Sequence, residues 1–221
     1  MSKPNLVLIA GCNGSGKSTY ASTILATKLK IFDADKRKKE IYNNFPFDFE
    51  FREQMAWNKT QEEFETQIKD SLVRKKDFAF ETNFHSDPMF WVNQFRAADF
   101  AVHLMFFCLK STSLAKERVA IRYQNGGHYV NDEEIIQRYH LGFANLDRYF
   151  NVFESVLLLE SSRENVKPEV LLYFSNNQLI KINKALPLYI RRQCPQLTQH
   201  FKLLKRENLK AKKGIKRRVK K

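Results

Sequence analysis

Short apolar runs alternate with longer amphipathic stretches along most of the chain. Asn5 to Ala10, NLVLIA, is apolar, carries two β-branched residues and stops at Gly11. A run of this kind fits a strand buried on both faces of a parallel sheet. Residues 17–29 read as a helix. A second run, LKIFDAD, ends in Asp33 and Asp35 and opens a charged helical stretch from Lys36. Phe45 to Phe51, with Pro46, reads as a loop. From Arg52 to Lys75 the pattern is helical again, with Met55, Phe64, Ile68 and Leu72 spaced to share one apolar face.

DFAFETNF is a third strand candidate whose apolar part stops at Glu81. DFAVHLMFFCL from Asp99 is a fourth, and FESVLLLESS from Phe153 a fifth. Helical patterns within 113–149 flank the glycine-containing loop QNGGHYVND, and this helix, loop and helix read as a movable lid. EVLLYFSNNQLIKIN turns at Ser175 to Asn177, as a hairpin over residues 168–183 would. Strands separated by helices at this spacing predict an α/β fold, a three-layer sandwich around a parallel sheet with a helical lid.

Composition narrows the picture. A chain of 221 residues, 43% hydrophobic, can bury one substantial core, assigned to residues 1–201. The formal charge of +14 is unevenly spread: residues 202–221 hold 11 Lys and Arg against Glu207, or +10, leaving +4 for the rest. A polyanion-binding signature therefore belongs to the tail, a segment expected to be a frayed helix or disordered on its own. Cys12, Cys108 and Cys194 show no metal-ligand or paired spacing, which points to reduced thiols. No apolar run approaches the roughly 18–20 residues that span a bilayer, and the first residues do not form a charged-then-apolar leader. The expectation is a cytoplasmic protein with no membrane partner.

Gly11, Gly16, Lys17 and Ser18 satisfy G-x-x-x-x-G-K-[ST], placed after a predicted strand and before a predicted helix. In that context Gly11, Cys12, Asn13, Gly14, Ser15, Gly16, Lys17, Ser18 and Thr19 form a nucleotide cradle. Backbone amides converge on phosphate oxygens, the helix N-terminus adds a favourable dipole, Lys17 reaches the β- and γ-phosphates, and Ser18 ligates Mg²⁺. The later chain contains neither the L-S-G-G-Q-like signature of transporter ATPases nor the N-K-x-D guanine reader of switch GTPases. Phosphoryl transfer from ATP is the reading that remains.

Acceptor chemistry should lie beyond the carboxyl ends of the strands. Asp35 is the candidate general base because it directly precedes the second helical stretch; Asp33 or Asp35 could instead cap that helix. Glu81, Thr82 and Asn83 follow the third strand and are candidate acceptor-binding groups, the competing account being a solvated strand end. Arg118 and Arg122 share one helix face, and Arg138 lies on the returning helix. Each is a candidate for stabilising the transferred phosphoryl group, with surface ion pairs as the alternative. Gly126 and Gly127 suit a lid, and His128 beside them is placed to meet phosphate or substrate.

These segments together resemble the zeta-toxin-like P-loop kinases, in the branch of small chromosomal ATP-binding proteins. AGCNGSGKST is similar to that branch's phosphate loop, FDADKRKKEI to its strand-end acid segment, FAFETNF to its Glu-Thr strand end, and ERVAIRYQNGGHYVNDEEIIQRY to its lid. The resemblance covers about residues 5 to 150. It implies a shikimate-kinase-like or adenylate-kinase-like core, ATP with Mg²⁺, roles for Lys17 and Ser18, Asp35 as base, and lid arginines among Arg118, Arg122 and Arg138. It also implies a small-molecule hydroxyl acceptor such as a UDP-N-acetyl sugar, and an antitoxin protein as candidate partner. The alternative is a polynucleotide kinase or a nucleic-acid- or ribosome-binding ATPase that uses the 202–221 tail.

Overall fold

A computed structural model describes residues 3–25, 29–46, 50–127, 129–164, 166–176, 178–182 and 185–218, with the side chains of 182 and 207–218 left out of the description. Seven strands form one sheet in the order β2-β3-β1-β4-β5-β6-β7. The first five, β1 (Asn5–Ala10), β2 (Ile31–Phe32), β3 (Phe78–Thr82), β4 (Ala101–Cys108) and β5 (Ser155–Glu160), run parallel. The last two, β6 (Glu169–Ser175) and β7 (Gln178–Ile182), are an antiparallel hairpin added at the β5 edge.

Strand alternation sorts the apolar residues into two layers. Leu6, Leu8, Phe80, Leu104, Phe106 and Leu158 belong to the larger core. Against them pack α3 (Arg52–Arg74), α4 (Phe90–Ala97), α5 (Thr112–Gln124), α6 (Asp132–Tyr149) and α8 (Pro195–Arg218). Ile9, Ala79, Met105, Phe107 and Leu159 face the other way, onto Ala21 of α1 (Lys17–Leu25). Helices on both faces of a mostly parallel sheet make the expected three-layer α/β sandwich.

Some elements differ from their sequence expectations. The buried stripe of α3 is Ala56, Thr60, Ile68 and Ser71, with Phe64 and Leu72 half-buried, whereas Met55 is 50% exposed. One residue is about 100° of helix rotation, so the small Ala56 takes the inward position and Met55 turns outward. Two helices lacked a sequence signal: α4, and the six-residue α7 (Leu188–Gln193). In the expected lid, α6 is anchored through buried Ile135, Tyr139, Phe143 and Leu146. Its N-terminus is capped by Asn131 Oδ1, which accepts from Glu134 N–H at 2.8 Å. Beyond the core, α8 runs as helix into the basic segment as far as Arg218.

A buried carboxylate joins α6 to α8. Asp147 Oδ1 accepts from Leu197 N–H at 2.8 Å and Oδ2 from Gln196 N–H at 3.3 Å, satisfying donors in the first turn of α8. Asp147→Ala would strand both amides, and a loss of about 1–3 kcal/mol of stability is expected. Urea or thermal unfolding measures it.

Candidate active site

The glycine-rich loop after Ala10 hangs from the carboxyl end of β1, the central strand of the parallel set. Gly11 has φ +140°, and a Cβ there would sit 2.6 Å from Phe107 O on β4; at Gly14, φ +76°, it would meet Ala115 O at 2.9 Å. Neither position admits a side chain without moving backbone, so these glycines let the loop nest against β4 and α5. Ser15 N–H donates to Cys12 O at 3.2 Å and closes the turn. The first amides of α1, which have no intrahelical acceptor, follow immediately.

Lys17 Nζ donates to Gly11 O at 2.6 Å, Cys12 O at 3.1 Å and Asn83 Oδ1 at 3.4 Å. Burial lowers its pKa, opposed by the negative field of Glu81 and, more weakly, of Asp35 and Asp33. The ammonium is therefore a desolvated charge held by neutral acceptors, and it gains on meeting an anion. Burial also pushes the Cys12 thiol up to about 11, leaving it protonated and inert at neutral pH. Asn13 Oδ1 accepts from Arg138 Nη1 at 3.0 Å, and Arg138 also pairs with Glu134 on its own helix. Among the described residues, Ser15 Oγ and Arg138 Nε are buried without a hydrogen-bond partner. Both lie beside the loop, and an anion bound there would give them a partner.

The acids converge on Ser18. Its Oγ lies 2.9 Å from Asp33 Oδ2 and 2.8 Å from Glu81 Oε2. A hydroxyl has one proton to donate, so with both carboxylates ionised one contact would be acceptor against acceptor. Burial, and then the charge of Asp33, push Glu81 up to about 7. Near neutrality Glu81 can thus donate to Ser18 while Ser18 donates to Asp33. One hydroxyl and two carboxylates are hard oxygen donors of the kind Mg²⁺ takes, with waters completing its shell.

A raised pKa means that the folded state binds more protons than the unfolded chain between the carboxyl's ordinary range and about 7. The stability contributed by Glu81 is therefore full at low pH and falls as pH rises through about 7. Thermal melts without nucleotide or metal should show Glu81→Gln gaining on the parent as pH goes from about 5 to 8. A parallel pH dependence in parent and variant would refute it.

Asp33 is also the N-cap of α2 (Ala34–Asn43), its Oδ1 accepting from Lys36 N–H at 3.1 Å. Asp35 sits in the first turn of that helix, exposed and outside the cap. Thr82 Oγ1 accepts from Phe84 N–H at 3.0 Å, holding the turn that follows β3. Phe32 and Ala34, on either side of Asp33, join Glu81, Thr82, His85 and Trp91 around a cleft of about 280 Å³ beside the Ser18 cluster.

The arginines are not equivalent. Arg118 Nη1 donates to Ser161 O at 2.7 Å and Gly14 O at 3.4 Å, so its head lies under the loop. Arg122 packs against the lid turn, where a Cβ on Gly127 would stand 2.6 Å from Arg122 Cγ and Gly127 N–H donates to Arg122 O at 2.9 Å. Arg138 reaches the loop through Asn13. Thr19 is exposed on the first turn of α1, and the expectation for His128 falls outside the described residues. Sequence reasoning missed Ser161, whose buried Oγ donates within reach of Ser15 O at 2.8 Å and Cys108 O at 3.0 Å. Contacts to backbone carbonyls leave no motif behind.

No model of a known protein family matches the chain, and no curated protein matches it. Solved structures do. The crystal structure of AvrRxo1-ORF1:AvrRxo1-ORF2 with sulphate ions aligns over 88% of this chain and 65% of that one, at TM-score 0.64 and 12% identity. A structure from the PezAT chromosomal toxin-antitoxin system of Streptococcus pneumoniae aligns over 92% of this chain and 88% of that one, at TM-score 0.56 and 13% identity. These likenesses establish the fold, a three-layer α/β sandwich with a mostly parallel sheet.

Proposed function

We propose that the protein is an ATP-dependent phosphotransferase of the zeta-toxin-like type, moving the γ-phosphoryl group to a hydroxyl of a small molecule such as a UDP-N-acetyl sugar. The observation that carries this is the meeting of Lys17, Ser18, Asp33 and Glu81 at the carboxyl ends of β1, β2 and β3, beside a cleft. Loop and α1 amides with Lys17 hold the β- and γ-phosphates. Ser18, with Asp33 and Glu81 directly or through water, would hold Mg²⁺, whose charge would offset that of the phosphates. Asp35 accepts the proton of the attacking hydroxyl as its oxygen bonds to the γ-phosphorus. The bond from that phosphorus to the β,γ-bridging oxygen breaks, and ADP leaves with the bond's electrons. Arg138, already at Asn13, and Arg122, at the lid turn, are the arginines placed to meet the moving charge; Arg118 supports the loop beneath it.

The toxin-antitoxin context of one structural relative supports an antitoxin protein as candidate partner. Three buried free cysteines suit a reducing cytoplasm, and among the described residues no helix is long and apolar enough to cross a membrane. The α8 helix, which carries the basic segment to Arg218, favours a second reading in which that arm engages nucleic acid. Labelled ATP, offered to UDP-sugars, nucleotides and RNA or DNA ends, tests both readings. Transfer to a small molecule that survives truncation after Phe201 supports the first. Transfer to polynucleotide ends that is lost on truncation supports the second, and no transfer to any acceptor sinks the kinase reading.

A further inference from the structure

The cleft beside the Ser18 cluster has a distinctive lining. One wall is aromatic: Phe64 packs on Phe32 at 5.0 Å between ring centroids, on Phe80 at 5.3 Å and edge-on to Trp91 at 6.1 Å. The polar residues of the lining are Gln61, Glu81, Thr82, His85, Ser86 and Asp87. Two of these carry carboxyl groups, and no Lys or Arg is among the described residues lining the cleft. His85 supplies no dependable cation, because burial and the charge of Arg138 lower its pKa.

Three cations of the neighbouring helix α2 are committed elsewhere. Arg37 makes a bidentate contact to Glu63, at 2.6 and 2.9 Å, and a third bond to Glu40. Lys38 pairs with Glu53 at 2.6 Å, and Lys39 Nζ donates to Gly126 O at 2.6 Å. Phosphate is bound in proteins by guanidinium, ammonium or clustered amide donors. Here the described lining offers carboxyl, amide and hydroxyl groups above flat apolar rings. Such a surface accepts hydrogen bonds from ligand hydroxyls and stacks a ring, while repelling an added anion.

We propose that this cleft selects the acceptor, receiving an uncharged hydroxyl-bearing ring, a sugar or nucleoside moiety, and excluding a phosphate or carboxylate on the part that enters. Trp91 is the stacking wall, and Asp87 with Gln61 grips the hydroxyl edge, leaving one hydroxyl toward Asp35. The inference rests on the kinase reading for which hydroxyl reacts, but the selectivity itself is a binding property and can be measured without turnover.

The chain has two tryptophans, so Trp57→Phe leaves Trp91 as sole reporter. Its fluorescence would be titrated with uridine against uridine 5′-monophosphate, and with glucose against glucose 6-phosphate, in the presence of a non-hydrolysable ATP analogue. The uncharged member of a binding pair is expected to bind at least about tenfold more tightly than its phosphorylated counterpart, and Asp87→Lys should narrow that ratio. Binding by no member of either pair overturns the proposal. So does a phosphorylated member binding as tightly as its counterpart, or a ratio unmoved by Asp87→Lys. Lys17-dependent transfer from labelled ATP is scored separately. Its loss with the ratio intact removes the kinase reading alone, and the reverse removes this inference alone.

Discussion

Lys17→Ala is expected to lower phosphoryl transfer by about 10³-fold or more, the scale seen when a preorganised charge on a transferring group is removed. The ammonium is held at the loop by Gly11 O, Cys12 O and Asn83 Oδ1, so its position is set before nucleotide arrives. Partly buried, it would meet the β- and γ-phosphates where solvent screens less than in bulk water. Alanine removes the charge and leaves three acceptors facing a void, so nucleotide affinity should fall as well. Transfer from labelled ATP and equilibrium nucleotide binding measure the two losses. A variant that transfers like the parent would rule out the loop as donor site. Far-ultraviolet circular dichroism and thermal melts check that the fold survives.

Asp35→Asn is expected to reduce transfer by about 10²–10⁴-fold while ATP binding is retained, the usual contribution of a positioned base. The distinction from Asp33 is structural. Asp33 is divided between Ser18 and the α2 cap, so its loss would weaken helix and cation site together. Asp35 is exposed in the first turn of α2 and outside the cap, which leaves it available to an incoming hydroxyl. Single-turnover assays at saturating ATP separate the two. If Asp35→Asn retains parental transfer, the base is elsewhere, and Glu81, pushed up to about 7 at the neighbouring strand end, becomes the group to replace next.

The sequence disclosed those parts whose chemistry requires particular residue types. A loop that cradles phosphate needs glycines at fixed intervals, and Gly11 and Gly14 are indeed pressed against β4 and α5. Buried parallel strands need unbroken apolar runs, and β1, β4 and β5 stood out accordingly. The capping alternative, open between Asp33 and Asp35 in sequence, falls to Asp33 in the structure. What stayed hidden depends on tertiary position. The bonds of Arg118 to Ser161 O and Gly14 O, made because α5 passes beneath the loop, have no counterpart in its helical spacing. Ser161 is one of two adjacent serines after a strand, with nothing local to mark it. The inward turn of Ala56 in place of Met55 is likewise decided by the space between α3 and the sheet.

The contacts under the loop have an energetic corollary. Ser161 Oγ at Ser15 O, and Arg118 joining Gly14 O to Ser161 O, brace a segment that glycine would otherwise leave conformationally free. A braced cradle has already lost much of the entropy that nucleotide binding would have to remove, so more of the phosphate contact energy is left to hold the ligand. Damage to the brace should then register first as faster nucleotide dissociation, with the chemical step little changed once the site is filled. The stiffness of the loop resides in its floor, where Arg118 and Ser161 meet its carbonyls.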